Sequence, residues 1–535
     1  VISKERGRGS DRNFKIVKKI LSEEYKFRDS VKKVFVSMDD NFKTYSTDPK
    51  LLRVFLSIFK FVLKEKIGND YKSVILNDFL NSLSFTNFTQ LATLKASARD
   101  HSSLISVPEN IDSDRSKLLK ELNNMNKEES SKRPKVLESL MNLVKEYKEE
   151  TKHSVRHMMQ LIPWCLNKLE TDGYFDSDVF PKPQHGGDRE IHVLSIHARI
   201  VQYTVELLSK TICKYFVSET ITHPETKNRF VKEHYKETSS QFKTSFVMSK
   251  SADASKWCQR HHVSHFASVL VSVTPEILHG FILRTLKLWT NKKISFPLAL
   301  SATLLSNKNV VSNDIFMRFK DNFFKGKELF EQPMSNKITI KSGMMQGILH
   351  YTSSLYHTMI QEVMKIFTVE TARKRYNMNV VCNIVQGSDD SGMMLGIEGQ
   401  ITKKKIASAY SLFRMKEEVS QYLSIYWNVC KSSIGTIDLI EYNSEWFSRM
   451  KSIKPTFRWI SACMELSVTE RFIDRIRIFN QVLTQCLEGG ASTLECAIVQ
   501  LNQCWLHYTM LGIRTSTLGK YASDLLIKSC NPQFG

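Results

Sequence analysis

The chain is short of turn-forming residues. It has 20 glycines and 12 prolines in 535 residues, against average usage of about 7% and 5%. That shortage excludes collagen-like and low-complexity architectures and disfavours a sandwich of many short strands. Long apolar runs are also lacking: no stretch of about 18 uninterrupted apolar residues occurs, so no membrane-spanning helix is encoded. The 10 cysteines, scattered from Cys165 to Cys530, form no CxxC pair and no knuckle spacing. A zinc site and a disulfide framework are therefore disfavoured, and reduced core thiols are expected. Cys486, Cys496 and Cys504 fall in an apolar helical stretch and are expected in the core. Val1–Ser10 has neither an initiator methionine nor an apolar signal core, and reads as a processed product or a piece of something longer.

What is present is apolar enough to fold. Hydrophobic residues make up 42% of the chain and aromatics 10%, which excludes a disordered polymer. The length suits about three or four domain-sized units or one large interlocked enzyme. The formal net charge of +21 repels itself unless a polyanion is the usual neighbour, so RNA, DNA or an acidic membrane surface is expected as a partner. Residues 11–170 follow a mainly helical period, with Leu51, Leu52, Phe55, Ile58, Phe59 and Val62 gathered on one face. Residues 109–152 turn polar and charged and are expected to form either a long exposed helical connector broken at Pro134 or a mobile segment. No internal repeat is visible.

From residue 181 the scarce glycines concentrate beside polar residues, at Gly186-Gly187, Gly343, Gly347 and Gly387. Such backbone either turns sharply or approaches a ligand closely. Residues 378–397 read as strand, tight turn and strand, with Ser388, Asp389 and Asp390 at the tip. Adjacent carboxylates at a tip repel one another, and a hard cation such as Mg²⁺ or Mn²⁺ would relieve that. A further carboxylate, Asp253, stands just beyond the apolar run Phe246-Val247-Met248; it suits either a shared metal site with Asp389 or an N-cap for residues 254–260. Gln346, Ser353 and Ser354 offer neutral groups near a glycine-bearing loop, suited to ribose hydroxyls and base edges. Lys182, Arg189 and Arg199 offer fixed positive charge for a triphosphate, Arg as a fork and Lys as a point charge.

In this order the segments resemble the motif series of RNA-dependent RNA polymerases, and more closely the large protein of segmented negative-strand RNA viruses of the bunyavirus order. Lys182 to Arg189 matches the triphosphate-gripping motif F. Asp253-Ala254-Ser255-Lys256-Trp257 matches the DxxKW form of motif A, followed here by Cys258 where a small hydroxyl or amide residue is common. Gln346-Gly347 with Ser353-Ser354 matches motif B, and Ser388-Asp389-Asp390 matches motif C. Lys431-Ser432 suits motif D, and Glu441-Tyr442-Asn443-Ser444 suits motif E. The wording around Pro181–Ile191 is similar to the phlebovirus and tenuivirus branch.

The resemblance implies an α+β right hand, helix-rich with a small antiparallel palm sheet. Residues 1–180 would form a helical N-terminal part and fingers, and 181–244 fingers with motif F. Residues 245–460 would be a palm with inserted fingers segments at about 270–340, and 461–535 a thumb. It implies template-directed ribonucleotide addition with two Mg²⁺ or Mn²⁺ ions at Asp253 and Asp389, supported by Asp390. Glu441 would be either a further metal contact or, preferably, a salt bridge within the palm. Lys182, Arg189, Arg199, Lys256, Gln346, Gly347 and Ser353 would face the nucleotide, and Trp257, Ser354, Ser388 and Ser444 the RNA, although packing is the preferred role for Trp257. Lys431 would either protonate the departing pyrophosphate or balance its charge. The implied partners are template and product RNA, nucleoside triphosphates, viral nucleoprotein and the remaining parts of the large protein, in host cytoplasm and virion. No lysine-bearing nuclease pattern is found, so the chain is expected to be the polymerase core alone. The rival readings are a reverse transcriptase-like enzyme, a non-catalytic basic RNA-binding scaffold, and a nuclease. Against the first, Gly387-Ser388 stands where an aromatic residue usually precedes the paired aspartates.

Overall fold

The structure is a computed structural model that describes residues 2–32, 47–85, 134–182, 189–296, 298–305, 313–428, 430–433, 435–442, 445–453 and 472–511. It divides into two compact units, Val1–Ile437 and Asp438–Gly535.

In the first unit, α1 (Ile2–Lys32) turns a stripe of Phe14, Val17, Leu21 and Tyr25 inward at helical spacing. Asp48 starts α2 (Pro49–Ile67): its carboxylate accepts the N–H groups of Lys50 and Leu51, and Pro49 occupies the first turn where its missing donor costs nothing. The buried face of α2 is Leu52, Phe55, Phe59, Val62 and Leu63, with Leu51 and Ile58 partly buried at its flanks, as the periodicity predicts. After α3 (Tyr71–Phe85) comes a correction. Residues 135–151 are no exposed connector: α4 (Val136–Thr151) buries Val136, Leu140, Leu143 and Tyr147, and Tyr147 packs edge-on to Trp164 at 5.4 Å. Residues 109–133 of the expected connector lie outside the described residues. Trp164 belongs to α5 (Met158–Asp172).

The first sheet is built from β1 (Phe175–Lys182) and β2 (Arg189–Leu194), an antiparallel pair in which Lys182 opposes Arg189. Then follow α6 (Ile196–Cys213), α7 (Thr226–Gln241), β3 (Ser245–Asp253), a single turn α8 (Trp257–Arg260), α9 (Val263–Val273) and α10 (His279–Leu288). Strands β4 (Lys292–Ser295) and β5 (Lys337–Ile340), separated by α11 (Leu298–Leu305) and α12 (Asp314–Lys325), complete the first sheet in the order β2-β1-β4-β5. Helix α13 (His350–Tyr376) has 27 residues, or about 40 Å at 1.5 Å per residue, and its first half is almost wholly buried. Strands β6 (Val380–Gly387), β7 (Asp390–Glu398) and β8 (Thr436–Ile437), with α14 (Lys403–Gln421) before β8, give a second sheet of order β6-β7-β3-β8, antiparallel throughout.

Three apolar cores follow from this arrangement. One surrounds α6 and α13, one lies between α1, the first sheet and α12, and one between the second sheet and α14. Within the second, Phe14 meets Phe316 edge-on at 4.8 Å.

The second unit holds β9 (Leu439–Tyr442), β10 (Glu445–Ser448) and β11 (Lys451–Ile453) as an antiparallel meander. It also holds α15 (Phe472–Glu488) and α16 (Thr493–Leu511), between which Cys486, Ala491, Cys496 and Val499 are buried. Cys486 and Cys496 are thus core thiols as expected, while the side chain of Cys504 lies outside the described residues. Among the described residues no helix is long and apolar enough to cross a membrane. The fold class is helix-rich α+β with small antiparallel sheets, as the sequence led one to expect.

Candidate active site

The centre of the second sheet brings the acidic residues together. Asp253 is the last residue of β3, not a residue beyond it, and it stands opposite Asp390, the first residue of β7. The Ala254 N–H donates to the Asp389 carbonyl at 3.0 Å. The N-cap alternative for Asp253 is overturned, because α8 begins at Trp257 with Lys256 in the cap position.

The β6–β7 connection is a two-residue turn, Ser388-Asp389, since Gly387 pairs with Asp390. Ser388 takes a left-handed φ of +53°, the conformation such tight hairpin turns require. Two side chains from α13 fix it. His357 donates Nδ1–H to the Ser388 carbonyl at 2.7 Å, and Ser354 Oγ accepts the Ser388 N–H at 3.4 Å. Ser354 in turn donates to the buried carboxylate of Glu219 at 2.6 Å. Burial pushes the pKa of His357 down to about 3, so this imidazole is neutral, which suits a donor to a carbonyl rather than a charged partner.

The electrostatics of the corner agree with its geometry. The Asp389 carboxyl is raised above its ordinary value, first by burial and then by the negative charge of Asp253; Arg189 and His350 act in the opposite direction. Arg189, at the start of β2, thus acts on the Asp389 charge. Lys431 has its Nζ 3.5 Å from Asp253 Oδ2. The backbone there is pinned by the Asn428 N–H on the Asp253 carbonyl and by Ser432 Oγ accepting the Asp253 N–H.

The donor set fits a hard divalent ion. Among the described residues no group of three or more His, Cys, Asp or Glu side chains could hold an ion alone. Asp253 and Asp389 are hard oxygen donors of the kind Mg²⁺ takes, one or two carboxylates with water and substrate phosphates completing the shell.

A loop from Lys341 to Leu349 flanks the corner and leads into α13. Gly343 has φ +70° and lies against α8: a Cβ there would sit 2.8 Å from the Cys258 carbonyl, which also accepts the Met344 N–H at 2.8 Å. Gly347, at φ +77°, faces open space. Gln346 lines a small cleft together with Glu190, His192, Cys258, Gln259 and Lys292. Beneath the loop, buried Glu206 accepts the N–H groups of Tyr351 and Thr352 and the Thr352 hydroxyl, capping the first turn of α13. Burial pushes its carboxyl up to about 7 against the pull of those bonds.

Other expected residues fall elsewhere. Ser353 and Ser354 are not in the loop but in α13, both fully buried. The Ser353 hydroxyl donates to the His350 carbonyl, so both hydroxyls serve protein partners. Trp257 is buried between His261 at 4.2 Å and His357 at 5.1 Å, a packing role. Lys256 pairs with Glu23 of α1 at 2.6 Å. Arg199 sits half-buried on the first turn of α6, its pKa lowered by burial, without an ion pair among the described residues. The Lys182 backbone ends β1 opposite Arg189, but its side chain and residues 183–188 lie outside the described residues. Glu441 is on β9 of the second unit, opposite Trp446, and Ser444 lies outside the described residues.

Sequence reasoning missed Glu206, Glu219 and His357. The signal was faint: a carboxylate inside an apolar helix (Glu206) and a histidine inside a run otherwise suited to a core.

Residues 4–529 match the family described as bunyavirus RNA dependent RNA polymerase. The RNA-directed RNA polymerase L of Uukuniemi virus (strain S23) is 32% identical over 491 residues, 88% of this chain and 22% of that protein. That of Rift Valley fever virus (strain ZH-548 M12) is 32% identical over 490 residues, 89% of this chain and 22% of the relative. That of rice stripe virus (isolate T) is 34% identical over 409 residues, 72% of this chain and 14% of the relative. The chain thus spans about a fifth or less of the length of these relatives. It belongs to the bunyavirus RNA-dependent RNA polymerase family.

Proposed function

From that membership we propose that this chain is the polymerising core of a viral RNA-directed RNA polymerase, adding ribonucleotides to an RNA 3′ end in genome replication and transcription. The observation that carries the reading is the convergence of Asp253, at the end of β3, with Asp389, in the β6–β7 turn, where the positive charges of Arg189 and Lys431 act on Asp389 and Asp253 respectively. In the right-hand scheme, the β6-β7-β3-β8 sheet is the palm and the β2-β1-β4-β5 sheet belongs to the fingers. Residues 461–535 would then open the thumb. The palm segment, 245–460, spans the division between the two compact units at Ile437.

Two Mg²⁺ or Mn²⁺ ions held by Asp253 and Asp389, with Asp390 in support, would activate the 3′-hydroxyl and stabilise the departing pyrophosphate. Arg189 offsets the charge of the incoming triphosphate, together with Lys182 and Arg199. Lys431, exposed and beside Asp253, serves the pyrophosphate either as proton donor or as counter-charge. Gln346 and Gly347, on the loop that faces the cleft, meet the nucleotide's sugar and base edges. Glu441 and Ser444 support the product end. Template and product RNA, nucleoside triphosphates, nucleoprotein and the rest of the large protein are the partners, in host cytoplasm and virion. The basic surplus of the chain serves the RNA, so binding weakens steeply with added salt.

A template-primed incorporation assay in Mn²⁺ or Mg²⁺ tests the reading. Ribonucleotides should be added in template order and deoxynucleotides poorly, and a folded Asp389→Ala variant should add none. Normal extension by that variant sinks the assignment. Efficient use of deoxynucleotides would favour the reverse-transcriptase reading instead, and degradation of labelled RNA without synthesis the nuclease.

A further inference from the structure

We propose that Glu23 and Glu24 of α1 are positioning residues that lock the motif A turn and the motif B loop against one another. The proposal rests on the polymerase reading for its consequence, though not for its geometry. These are adjacent residues, so their side chains leave the helix about 100° apart and reach two different segments.

Glu23 points to motif A. Its carboxylate, only 2% exposed, accepts from Lys256 Nζ at 2.6 Å and lies 3.7 Å from Arg260 Nε. Lys256 holds a left-handed φ of +54°, an uncommon state for a residue with a side chain. The turn it shapes begins where Ala254 bonds to Asp389 and Ser255 donates to the Tyr426 carbonyl. Glu23 therefore holds the backbone immediately downstream of Asp253.

Glu24 points to motif B. Fully buried, its Oε2 accepts the N–H groups of Lys341 and Ser342, at 3.0 and 2.8 Å, and the Ser342 hydroxyl at 2.7 Å. Its Oε1 accepts from Arg28 Nε at 2.6 Å. The Ser342 carbonyl accepts from buried Lys292 at 2.7 Å, so every polar group of Ser342 is engaged just before Gly343 packs on the Cys258 carbonyl. Burial would raise the Glu24 carboxyl, yet the bonds from Ser342 and Arg28 leave it below its ordinary value.

Burying two like charges side by side is costly unless each is paired and hydrogen-bonded. Docking of a helix alone needs neither, and α1 already has its apolar stripe and a forked Asp29–Arg318 ion pair, both bonds 2.9 Å, for that purpose. Lys256 and Arg260, which pair with Glu23, and Lys341 and Ser342, which bond to Glu24, are on the two segments that border the Asp253–Asp389 corner. The Met344 N–H on the Cys258 carbonyl closes the loop between those segments. A helix far upstream in sequence thus fixes how the nucleotide-reading loop sits over the turn that carries Asp253.

The test compares ribo- and deoxyribonucleotide incorporation by the full chain carrying Glu24→Gln, Glu23→Gln or Ser342→Ala, with amide hydrogen exchange of residues 341–346 measured alongside. Ser342→Ala removes one hydroxyl bond, leaves Glu24 otherwise paired, and serves as the mild variant that folds. For Glu24→Gln the ratio of kcat/KM for ribo- over deoxyribonucleotide should fall by roughly tenfold, the scale of one charge-assisted hydrogen bond, and for Ser342→Ala by roughly threefold. Exchange of residues 341–346 should quicken in both. For Glu23→Gln, kcat should fall by roughly tenfold with the ribonucleotide KM nearly unchanged, because the turn it holds carries Asp253 and not the reading loop. Unchanged discrimination in folded Glu24→Gln and Ser342→Ala overturns the motif B half, and unchanged kcat in folded Glu23→Gln overturns the motif A half. A wild-type chain inert with every nucleotide would strike at the polymerase reading instead. Exchange alone then decides the brace, and unaltered protection of residues 341–346 in both motif B variants overturns it.

Discussion

The turn at Ser388-Asp389 and the loop at Lys341–Leu349 flank the same corner but are held in opposite ways. The turn is fixed along its length: a sheet register on both sides, and α13 bonds to both the N–H and the carbonyl of Ser388. The loop is fixed at its base, by Glu24 and Lys292 on Ser342 and by the Cys258 carbonyl on Met344, and where it leaves, by Gln202 on the Ile348 carbonyl and by Glu206 on the start of α13. Between those anchors Gly347 faces open space. A carboxylate that shares a cation must not move, because its partner is on another strand. A loop that reads successive nucleotides needs freedom at its tip and none at its base.

The largest effect should come from the rigid side. Asp253→Asn keeps the shape of the side chain and removes its charge, so incorporation should fall by about 10³-fold or more, on the scale of lost charge stabilisation in a transition state. Circular dichroism and melting should remain near wild type, and a folded variant with near-normal turnover would break the contrast. Gly343→Ala comes next. Its Cβ would press on the Cys258 carbonyl at a left-handed φ, an overpacking that costs about 1–3 kcal/mol and should show in both melting and turnover. Gly347→Ala meets no atom within 4 Å and should cost only the left-handed strain of about 1–2 kcal/mol. Equal losses of stability at both glycines would mean the loop is uniform and not anchored at its base.

His357→Phe should be milder on turnover. It leaves the partly buried Ser388 carbonyl without its donor, at about 1–3 kcal/mol, and lowers kcat by roughly tenfold if half of that reaches the transition state. The last test concerns pH and leaves turnover aside. The Glu206 carboxyl, pushed up to about 7 from an ordinary 4.5 by burial, keeps its proton in the folded chain while the unfolded chain has lost it. Its contribution to stability is complete below pH 4.5 and is lost as pH rises towards 7. Glu206→Gln should therefore flatten the melting temperature across that window, and an unchanged slope would show that the carboxyl is not the group responsible.

Much of this was legible beforehand where chemistry is local. The hairpin around Asp389 follows from two apolar runs and a turn, and α2 follows from an apolar period with Asp48-Pro49 at its start. The helix at 136–151 was legible but its burial was not, because charge on one face of α4 masks the Val136, Leu140, Leu143 and Tyr147 stripe on the other. That Ser353 and Ser354 serve the protein and not a nucleotide was not legible, because a helix start has no signature when its cap, Glu206, comes from another helix. Glu23 and Glu24 carried no signal at all, since adjacent acidic residues on a helix ordinarily face water.

The sequence by itself determined the periodic elements, the basic surplus, and the identity of the residues that bear charge or flex the backbone. These depend on spacing and composition along one strand of chain. Only the tertiary structure decided which of those residues meet: Asp253 with Asp389, Glu206 with the start of α13, and α1 with both loops. Such pairings come from strand register and from the burial of charges that find their partners hundreds of residues away, and neither leaves a local pattern to be read.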